Sequence, residues 1–369
     1  MKVLLVIQHY NKRFGGLIPI VTALKNTFKA KIITFQNTFE GQATKEFILI
    51  KTKRFLFAQL PTNLYSTLKK EVDENTVLHI HGMWSLNSIF ILLFLIRHPN
   101  TKVIVSPHGM YVAWSFTKRK LLKTLYFNCI EKHILTRKNS LTHVYQAKEK
   151  KELMALGIAE NQIRIIGNFT NLQAIDAHIK QADSKPCSID FSTSIKQYCF
   201  IGRLHPVKGL RLLIHSWYKV FKNDDTVQLN IFGSNDGEQD YIDAFITKHQ
   251  ITNIKLWGFV DAPEKFYIMN HCHYFVQTSF TEGFSMSILE ALACSLPAII
   301  TDTCNFEAVQ HYNAGIVCKT TEDSISKALE RAKNIAESDH AKQRIQARTL
   351  VKENFEESLI LDQYKTLYT

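Results

Sequence analysis

The chain has 369 residues, enough for two domains of ordinary size, and its 46% hydrophobic and 21% charged residues are typical of a folded globular protein. It contains no run of the roughly 18 consecutive apolar residues that a membrane-spanning helix needs. Seven scattered cysteines without a Cys-x-x-Cys pair argue against a disulfide framework or a structural zinc site and favour a reducing compartment. The first residues, MKVLLVIQHY, are expected to form a strand rather than a signal peptide.

The net charge of +12 is concentrated in the first half of the chain. Residues 1–172 contain 25 Lys and Arg against 9 Asp and Glu, whereas the remaining residues contain 20 against 24. The basic half is therefore expected to meet an anionic partner, either a nucleic acid or an acidic lipid surface.

Short apolar segments alternate with helical patterns along the whole chain. Helical patterns cover residues 17–28, 118–135, 210–221 and 240–249. The predicted strands that end at or just before a glycine cover residues 77–80, 103–106, 198–201, 229–232, 254–257 and 274–277. This alternation predicts an α/β protein with parallel sheets and with ligands at the carboxyl ends of the strands.

The pattern occurs twice, which predicts two domains. The first covers residues 1–172 and the second residues 195–354, with a weakly patterned linker at 173–194 between them. Apolar residues at helical spacing predict a last helix over 355–369, expected to pack back on the first domain.

Two carboxylates mark the stretch SFTEGFSMSILEALA at 279–293. Glu282 precedes a helix predicted at 284–294, and Glu290 lies within it, roughly 12 Å further if the interval is helical. Between them, the free N–H groups of a helix N-terminus favour an anion. Two carboxylates with an anion site between them would suit a ligand that carries hydroxyls at both ends and an anion in the middle. A sugar nucleotide has this layout. The alternative is a capped helix in which Glu290 pairs with a neighbouring lysine.

Other residues with binding chemistry also follow predicted strands. Gly15 and Gly16 allow the backbone to approach a ligand. Arg203 and Lys208 stand in the loop GRLHPVKG and could neutralise a diphosphate. His108 follows a strand of the first half. Each has an ordinary alternative: double glycines are usually turns, strand-end cations are usually solvated, and a strand-end histidine is more often structural than catalytic.

One short cluster has residue types that bind metals, namely His271, Cys272 and His273. Alternation on a strand would place the two histidines on one face and the cysteine on the other. No further ligand follows nearby, so no metal site is predicted.

Taken together, these motifs resemble the retaining glycosyltransferases of family 4. The matching pieces are Gly15-Gly16, the sequence PHG at 107–109, GRLHPVKGL at 202–210, WGFV at 257–260, Glu282 with Glu290 eight residues later, and SLPAIITD at 295–302. The resemblance implies a GT-B fold, in which two doubly wound, Rossmann-like domains face each other across a cleft. It also implies that the first domain, residues 1–172, binds the acceptor and that the second, residues 195–354, binds the nucleotide-sugar donor. It covers nearly the whole chain, and the second-half motifs are the more specific.

The resemblance also implies roles for individual residues. Arg203 and Lys208 would bind the donor diphosphate and stabilise its charge, Glu282 would hold sugar hydroxyls, and His108 would lie at the reacting centre; these four form the implied catalytic set. Glu290 would bind the ribose. The other implied donor-binding residues are Gly15, Gly16, Gly258, Phe259, Val260, Gly283, Phe284 and Ser285.

The resemblance implies no metal and no cofactor besides the nucleotide-sugar donor, since the cations stabilise the leaving group. It leaves open whether His108 acts as a base or only orients the donor. This sequence departs from the family pattern at His273, where an acidic residue is common, and at His205-Pro206 within the loop. Neither departure removes a motif residue.

The expected function is transfer of a sugar, with retained anomeric configuration, from a nucleotide sugar to a glycan or lipid-linked glycan. Lipopolysaccharide, O-antigen or capsule assembly is the expected setting. UDP-sugars are favoured over GDP-sugars because they are the commoner donors. Basic stretches at 51–57 and 118–123 predict a cytoplasmic protein with peripheral contact at the inner face of an anionic membrane. The alternative is a solvated basic face and a soluble acceptor.

Three other functions remain as alternatives. A nucleotide-sugar epimerase of the same fold would convert the donor without an acceptor. A non-enzymatic protein could bind nucleic acid or an anionic surface through the basic half. However, the chain has no recognisable nucleic-acid motif, so no nucleic-acid partner is expected. A catalytically inactive subunit is disfavoured because every motif residue is present.

Overall fold

The computed structural model describes residues 1–11, 16–42, 44–55, 58–111, 120–183, 191, 195–222 and 224–369. The chain divides into two units. The first comprises Met1–Asn168 together with Ile360–Thr369, and the second comprises Phe169–Leu359.

The first unit is built on a parallel sheet. Its strands are β1 (Lys2–Ile7), β2 (Lys31–Phe35), β3 (Phe47–Ile50), β4 (Thr52–Phe55), β5 (Ala58–Pro61), β6 (Thr76–His81), β7 (Lys102–Ser106), β8 (Ser140–Val144) and β9 (Ile163–Ile165). Within the described residues, seven of them pair in the order β3-β2-β1-β6-β7-β8-β9, while β4 and β5 form an antiparallel hairpin. In β1, every residue from Val3 to Ile7 is buried, because helices cover both faces of such a sheet.

The helices of the first unit lie between these strands. They are α1 (Leu17–Phe28), α2 (Leu64–Glu71), α3 (Asn87–Arg97), α4 (Lys120–Tyr126), α5 (Lys132–Leu135) and α6 (Ala147–Ala155). A π-helical turn, Phe127–Glu131, joins α4 to α5. The helix predicted at 118–135 is thus described from Lys120 onward, and Lys118 and Arg119 lie outside the described residues.

The second unit contains another parallel sheet. Its strands are β10 (Lys196–Ile201), β11 (Val227–Phe232), β12 (Ile254–Gly258), β13 (Tyr274–Gln277), β14 (Ala298–Thr301) and β15 (Gly315–Cys318). They pair in the order β12-β11-β10-β13-β14-β15. The chain therefore adds β11 and β12 on one side of β10, and β13, β14 and β15 on its other side, as expected for a doubly wound sheet.

Helices cover both faces of the second sheet. They are α7 (Leu172–Asp183), α8 (Leu210–Phe221), α9 (Gln239–His249), α10 (Ala262–His271), α11 (Met286–Ala293), α12 (Ala308–His311), α13 (Glu322–Asn334) and α14 (Glu337–Asn354), and the last helix of the chain, α15 (Glu357–Tyr368), follows them. One core layer packs α8, α9 and α13 around Trp217, Tyr198 and Tyr274. The other packs α10, α11 and α14 against Cys199 and Phe275, the neighbours of those tyrosines on the strands.

The predicted fold class is confirmed: each unit is a doubly wound, parallel-sheet α/β domain of the Rossmann type. No helix in the described part of the chain is long and apolar enough to cross a membrane.

Three boundaries differ from the sequence prediction. Residues 173–183, predicted as linker, belong to α7, because Leu172 and Ile175 bury an apolar side against the core next to α10. Most of the remaining linker, 184–190 and 192–194, lies outside the described residues. The predicted helix at 284–294 begins only at Met286. His271 ends α10 rather than standing on a strand, so strand alternation does not relate it to His273.

The last helix has its own packing. From Ile360 onward the chain belongs to the first unit. There the Tyr368 hydroxyl lies 2.8 Å from His79 Nδ1, and the Tyr368 ring meets Phe28 edge-on.

Candidate active site

The second sheet changes direction between β10 and β13. At such a point, the connections leave towards opposite faces and a crevice opens outside the carboxyl ends of the two strands. Arg203 and Lys208 follow β10, and Glu282 follows β13. Topology thus brings to one edge of the sheet residues that are 74 positions apart in sequence.

Lys208 and Glu282 form an ion pair in this crevice. Lys208 Nζ lies 2.6 Å from Glu282 Oε1, and both side chains are largely buried. The same oxygen accepts hydrogen bonds from Gln277 Nε2 at 2.8 Å and from Ser279 Oγ at 2.6 Å. The Lys208 ammonium has three donors, and within the described residues only the one to Glu282 is used, so the others can serve an anion.

The loop that carries Lys208 is shaped by local interactions. Pro206–Lys208 form a 3₁₀ turn, capped by the His205 side chain, which accepts from the backbone N–H of Val207 at 3.1 Å. Gly209 follows with φ +66°, and a Cβ there would stand 2.1 Å from the Thr278 carbonyl oxygen. Only glycine fits this position, which holds the loop directly against the end of β13.

Arg203 lies at the same edge but is exposed. Its Nη1 is 2.6 Å from Asp236 Oδ2, and 62% of its side chain is accessible. Surface pairs of this kind contribute roughly 0–1 kcal/mol, so a ligand anion can displace Asp236. No hydrogen bond among the described residues connects Arg203 with Lys208 or Glu282.

The segment after Glu282 caps α11. The Ser285 hydroxyl accepts from Ile288 N at 3.4 Å and donates to Gln277 Oε1 at 3.0 Å. The Phe284 ring lies 5.2 Å from Phe306. Gly283 and the backbone of residues 284–286 therefore lead into a fixed helix N-terminus, whose free N–H groups suit an anion.

Glu290 forms an ion pair with a lysine, as the alternative interpretation of the sequence predicted. Its Oε1 lies 2.7 Å from Lys265 Nζ on α10, and both side chains are largely buried. Since only the second half of the interval from Glu282 is helical, helical rise does not give their separation. Binding of ribose by Glu290 remains a prediction. The pair can serve a diol, because Glu290 accepts hydrogen bonds and Lys265 donates them.

The loop Gly258-Phe259-Val260 ends β12. The Gly258 carbonyl accepts from Gly233 N at 2.7 Å, which ties this loop to the end of β11. The Phe259 side chain is 76% exposed. It therefore offers an aromatic face on which a nucleobase could stack.

In the first unit, His108 has both ring nitrogens occupied. Its Nδ1 lies 2.6 Å from the Tyr145 hydroxyl, and its Nε2 lies 3.0 Å from His81 Nδ1. Its backbone φ is +53°, a left-handed conformation that is uncommon outside glycine. Burial, then the neighbouring His81, holds the pKa of His108 well below its usual range. A ligand could hydrogen-bond this neutral ring only by displacing one partner.

A second chain of buried histidines lies beside His108. His143 Nε2 is 2.9 Å from the Ile166 carbonyl, which can only accept, so this nitrogen carries the proton. His143 Nδ1 then accepts from Ser106, 2.7 Å away, and Ser106 accepts from His79 Nε2 at 2.7 Å. His79 Nδ1 in turn accepts from Tyr368. Every ring nitrogen in this chain is used internally, which indicates a structural role.

Some predicted residues cannot be placed. Gly15, Lys118, Arg119, Leu56 and Phe57 lie outside the described residues. Gly16 is described, and it stands at the N-cap of α1 with φ −73°.

Sequence reasoning missed several partners of the predicted residues. They are Gln277, Ser279, Lys265, Asp236, His81 and Tyr145. Gln277 and Ser279 had a signal, since both are polar and stand at the end of a buried strand. His81 had one too, because it ends β6 in the sequence HIHG, just as His108 stands shortly after β7 in the sequence PHG.

Comparisons with known proteins agree with this fold. Residues 188–349 match the family model described as "Glycosyl transferases group 1". An uncharacterized glycosyltransferase of Methanocaldococcus jannaschii is 27% identical over 300 residues, covering 74% of this chain and 69% of that protein. Among solved structures, Anabaena HepE in complex with UDP and glucose has a TM-score of 0.77 at 16% identity, with full coverage of both chains. WaaG, a glycosyltransferase involved in lipopolysaccharide biosynthesis, has a TM-score of 0.73 at 14% identity, covering 98% of each chain.

Two doubly wound units with these structural neighbours define the GT-B class. The chain has the GT-B fold, and its residues 188–349 match the group 1 glycosyl transferase family.

Proposed function

We propose that the protein transfers a sugar from a nucleotide-sugar donor to a glycan or lipid-linked glycan, with retention of the anomeric configuration. The observation that carries this proposal is the Lys208–Glu282 pair at the switch point of the second sheet. There a cation for the diphosphate and a carboxylate for sugar hydroxyls lie side by side.

The chemistry follows from charge. As the glycosidic bond to the donor breaks, negative charge accumulates on the departing diphosphate. Lys208, Arg203 and the N–H groups at the start of α11 stabilise that charge without a metal. Glu282 is assigned to sugar hydroxyls: three donors hold its Oε1 in place, and a carboxylate has a second oxygen that can accept from a hydroxyl. No residue is assigned as a nucleophile.

The donor is proposed to be a UDP-sugar. HepE was solved with UDP and with UDP-glucose, but at this low identity the likeness concerns the fold. The preference for uridine therefore rests mainly on UDP-sugars being the commoner donors.

A thermal-shift measurement tests the donor site. UDP, UDP-glucose, UDP-N-acetylglucosamine, GDP, GDP-mannose and ADP are added separately to the purified chain. We expect the uridine compounds to raise the melting temperature, since a ligand at a hundred times its Kd stabilises the folded state by about 2.7 kcal/mol. Absence of a shift with every nucleotide would contradict the donor site. Conversion of the UDP-sugar without acceptor, followed by NMR, would instead indicate an epimerase.

Glu290→Ala is expected to weaken UDP binding by roughly tenfold or more, because the hydrogen bonds of a charged group to the ribose are lost. The same thermal-shift titration measures this. Asp323→Ala is the matched control, since Asp323 also pairs with a lysine of the second unit, Lys219 at 2.6 Å, but on the exposed surface. Equal UDP affinity in both variants would show that Glu290 does not bind the donor.

The acceptor is proposed to be a bacterial surface glycan, such as lipopolysaccharide, O-antigen or capsule, reached from the cytoplasmic side of the membrane. The structural neighbour WaaG acts in lipopolysaccharide biosynthesis. In this chain, α4 exposes Leu121, Leu122 and Leu125 beside Lys120 and Lys123. Exposed leucines next to lysines suit an anionic lipid surface.

The triple variant Leu121→Ala, Leu122→Ala, Leu125→Ala is expected to float at least roughly tenfold less with phosphatidylglycerol liposomes, since each truncation removes about 1–2 kcal/mol of apolar burial. Leu359→Ala, another exposed leucine, is the control. Failure of the unmodified chain to float at low salt would refute membrane contact and favour a soluble acceptor.

A further inference from the structure

Two phenylalanines differ from the others whose exposure the structure describes. Phe259 and Phe280 are 76% and 51% exposed, whereas the rest are buried or half-buried. A single exposed apolar residue is ordinary, but these two share one location. Phe259 follows β12 and Phe280 follows β13, both at the carboxyl edge of the second sheet, where Lys208 and Glu282 form their ion pair.

Phe280 adjoins both members of this ion pair. Its backbone N–H donates to the carbonyl of Val207, the residue before Lys208, at 2.8 Å. Glu282 is two residues further along the chain, and two residues span at most about 7 Å. The Phe280 side chain therefore leaves the backbone next to the cation and next to the carboxylate.

The backbone on both sides of Phe280 is held in place. The carbonyl of Ser279 accepts from Thr303 Oγ1 at 2.5 Å, and the carbonyl of Glu282 accepts from Asn305 Nδ2 at 2.8 Å. Both donors stand in the turn after β14. The exposed phenyl group is thus attached to a fixed backbone, so little conformational entropy is lost when a ligand binds to it.

The Phe280 ring has no aromatic or cationic partner among the described residues. The face of such a ring is electron-rich and attracts apolar, weakly positive C–H groups. Next to it, Glu282 accepts hydrogen bonds and Lys208 attracts anions. A ligand that uses all three groups carries C–H bonds on one face, hydroxyls at its rim and an attached phosphate. A hexose bonded to a diphosphate has this chemistry.

The base of a nucleotide sugar suits this place less well than the sugar does. The sugar is bonded directly to the diphosphate, whereas the ribose separates the base from it. Since Lys208 is the cation for the diphosphate, the group next to Phe280 is the sugar. The base is left to Phe259 after β12, which lies three strand spacings from β13, or about 14 Å.

We propose that Phe280 recognises the sugar of the nucleotide-sugar donor, whose C–H face stacks on the phenyl ring while its hydroxyls reach Glu282. The inference rests on the proposed function, since that function places a sugar next to the diphosphate. It adds a residue that selects for the sugar of the donor rather than for its nucleotide.

Isothermal titration calorimetry on the full chain tests this role. It compares UDP with UDP-glucose and UDP-N-acetylglucosamine, and GDP with GDP-mannose. Phe280→Leu keeps an apolar side chain and removes the ring. We expect it to bind the sugar conjugate roughly three- to tenfold more weakly, the loss typical of one aromatic contact, and to bind the free diphosphate within about twofold of the unmodified chain. Phe280→Tyr keeps the ring and should retain both affinities.

Phe259→Leu is the matched control, because it removes the other exposed ring of the same sheet edge. Phe259 is assigned to the base, which both ligands carry, so this variant should weaken the free diphosphate and its sugar conjugate by the same factor. Ile345→Ala changes an exposed apolar residue of α14, which is 65% exposed, and should alter neither affinity.

The affinity ratio between sugar conjugate and free diphosphate decides the outcome. A ratio that is the same in Phe280→Leu and in the unmodified chain overturns the proposal and leaves the donor site standing. Binding of a nucleoside diphosphate without any of its sugar conjugates overturns it too. If the unmodified chain binds no nucleotide at all, the proposed function is refuted, and the role of Phe280 with it.

Discussion

Replacing Lys208 with methionine is expected to lower the turnover number by roughly 10²–10³-fold, the loss typical of removing one charge-stabilising donor from a reacting centre. Methionine keeps the unbranched stem and removes only the ammonium. The Lys208 ammonium lies in a largely buried position, where water screens its charge little. The measurement is the initial rate of sugar transfer, or of donor hydrolysis if no acceptor is at hand, at saturating donor.

The matched control is Lys219→Met, which breaks an exposed ion pair of the same unit, that with Asp323. It should leave turnover within about twofold, because exposed pairs contribute little. Arg203→Ala should lower turnover in the same direction as Lys208→Met, through loss of its contact with the diphosphate. Near-normal rates in both cation variants would refute the assigned diphosphate site.

A stability measurement separates the loss of catalysis from the loss of fold. Lys208→Met leaves the Glu282 carboxylate without its cation, although Gln277 and Ser279 still donate to it. Breaking a buried pair destabilises by several kcal/mol because one charge stays uncompensated. The double variant Lys208→Met, Glu282→Gln removes both charges. It should regain melting temperature while its turnover stays low.

The alternating pattern was sufficient to predict both sheets. A parallel strand buried on both faces is a short apolar run such as Val3–Ile7, and it ends where the chain turns above the sheet. Glycines follow many of these strands, and Gly233 shows why at one of them: a Cβ there would stand 1.7 Å from the Gly202 carbonyl oxygen. Local sequence carries this information because backbone conformation depends on neighbouring residues.

The pairing of side chains could not be predicted in the same way. Glu282 is completed by Lys208, which is 74 positions away, and Glu290 by Lys265, which is 25 away. These contacts depend on strand order, which no local pattern encodes. The sequence therefore identified the carboxylates and cations but not which of them neutralise one another without a ligand.

Other features had signals that were not used. Leu172, Ile175 and Ile179 are spaced as on one side of a helix, and they form the apolar side of α7 within the predicted linker. The histidines of β6 and β8 stand inside apolar runs, where a polar side chain requires a partner. His108 was selected alone because it lies next to a glycine in a familiar motif.

The stability of the first unit is expected to fall steeply as the pH drops below about 6.5, the ordinary pKa of histidine. Burial lowers the pKa of His143 to about 4 and holds the pKa values of His79, His81 and His108 well below their usual range. Below about pH 6.5 the unfolded chain binds protons at these histidines, whereas the folded unit does not. Each such histidine therefore removes about 1.4 kcal/mol of stability for every pH unit below 6.5, until its own folded-state pKa is reached.

Two buried carboxyls oppose this effect. Burial raises the pKa values of Glu131 and Glu149 to about 7, so these groups keep their protons in the folded unit after the unfolded chain has lost them. Their contribution to stability is present at low pH and disappears as the pH rises from about 4.5 to 7. At pH 5.5 the four histidines lower the stability as the pH falls, and the two carboxyls raise it. The stability should then change by about 2.7 kcal/mol per pH unit, towards lower stability in acid.

Urea unfolding between pH 7.5 and 5 measures this slope. Glu131→Gln keeps an acceptor for Trp84 N and Ser88 but removes one opposing carboxyl, so the acid loss should become steeper. His79→Phe removes one histidine, and the loss should become shallower by about 1.4 kcal/mol per pH unit. A midpoint that stays constant from pH 7 to 5.5 would mean that the histidines are solvated or protonated in the folded unit.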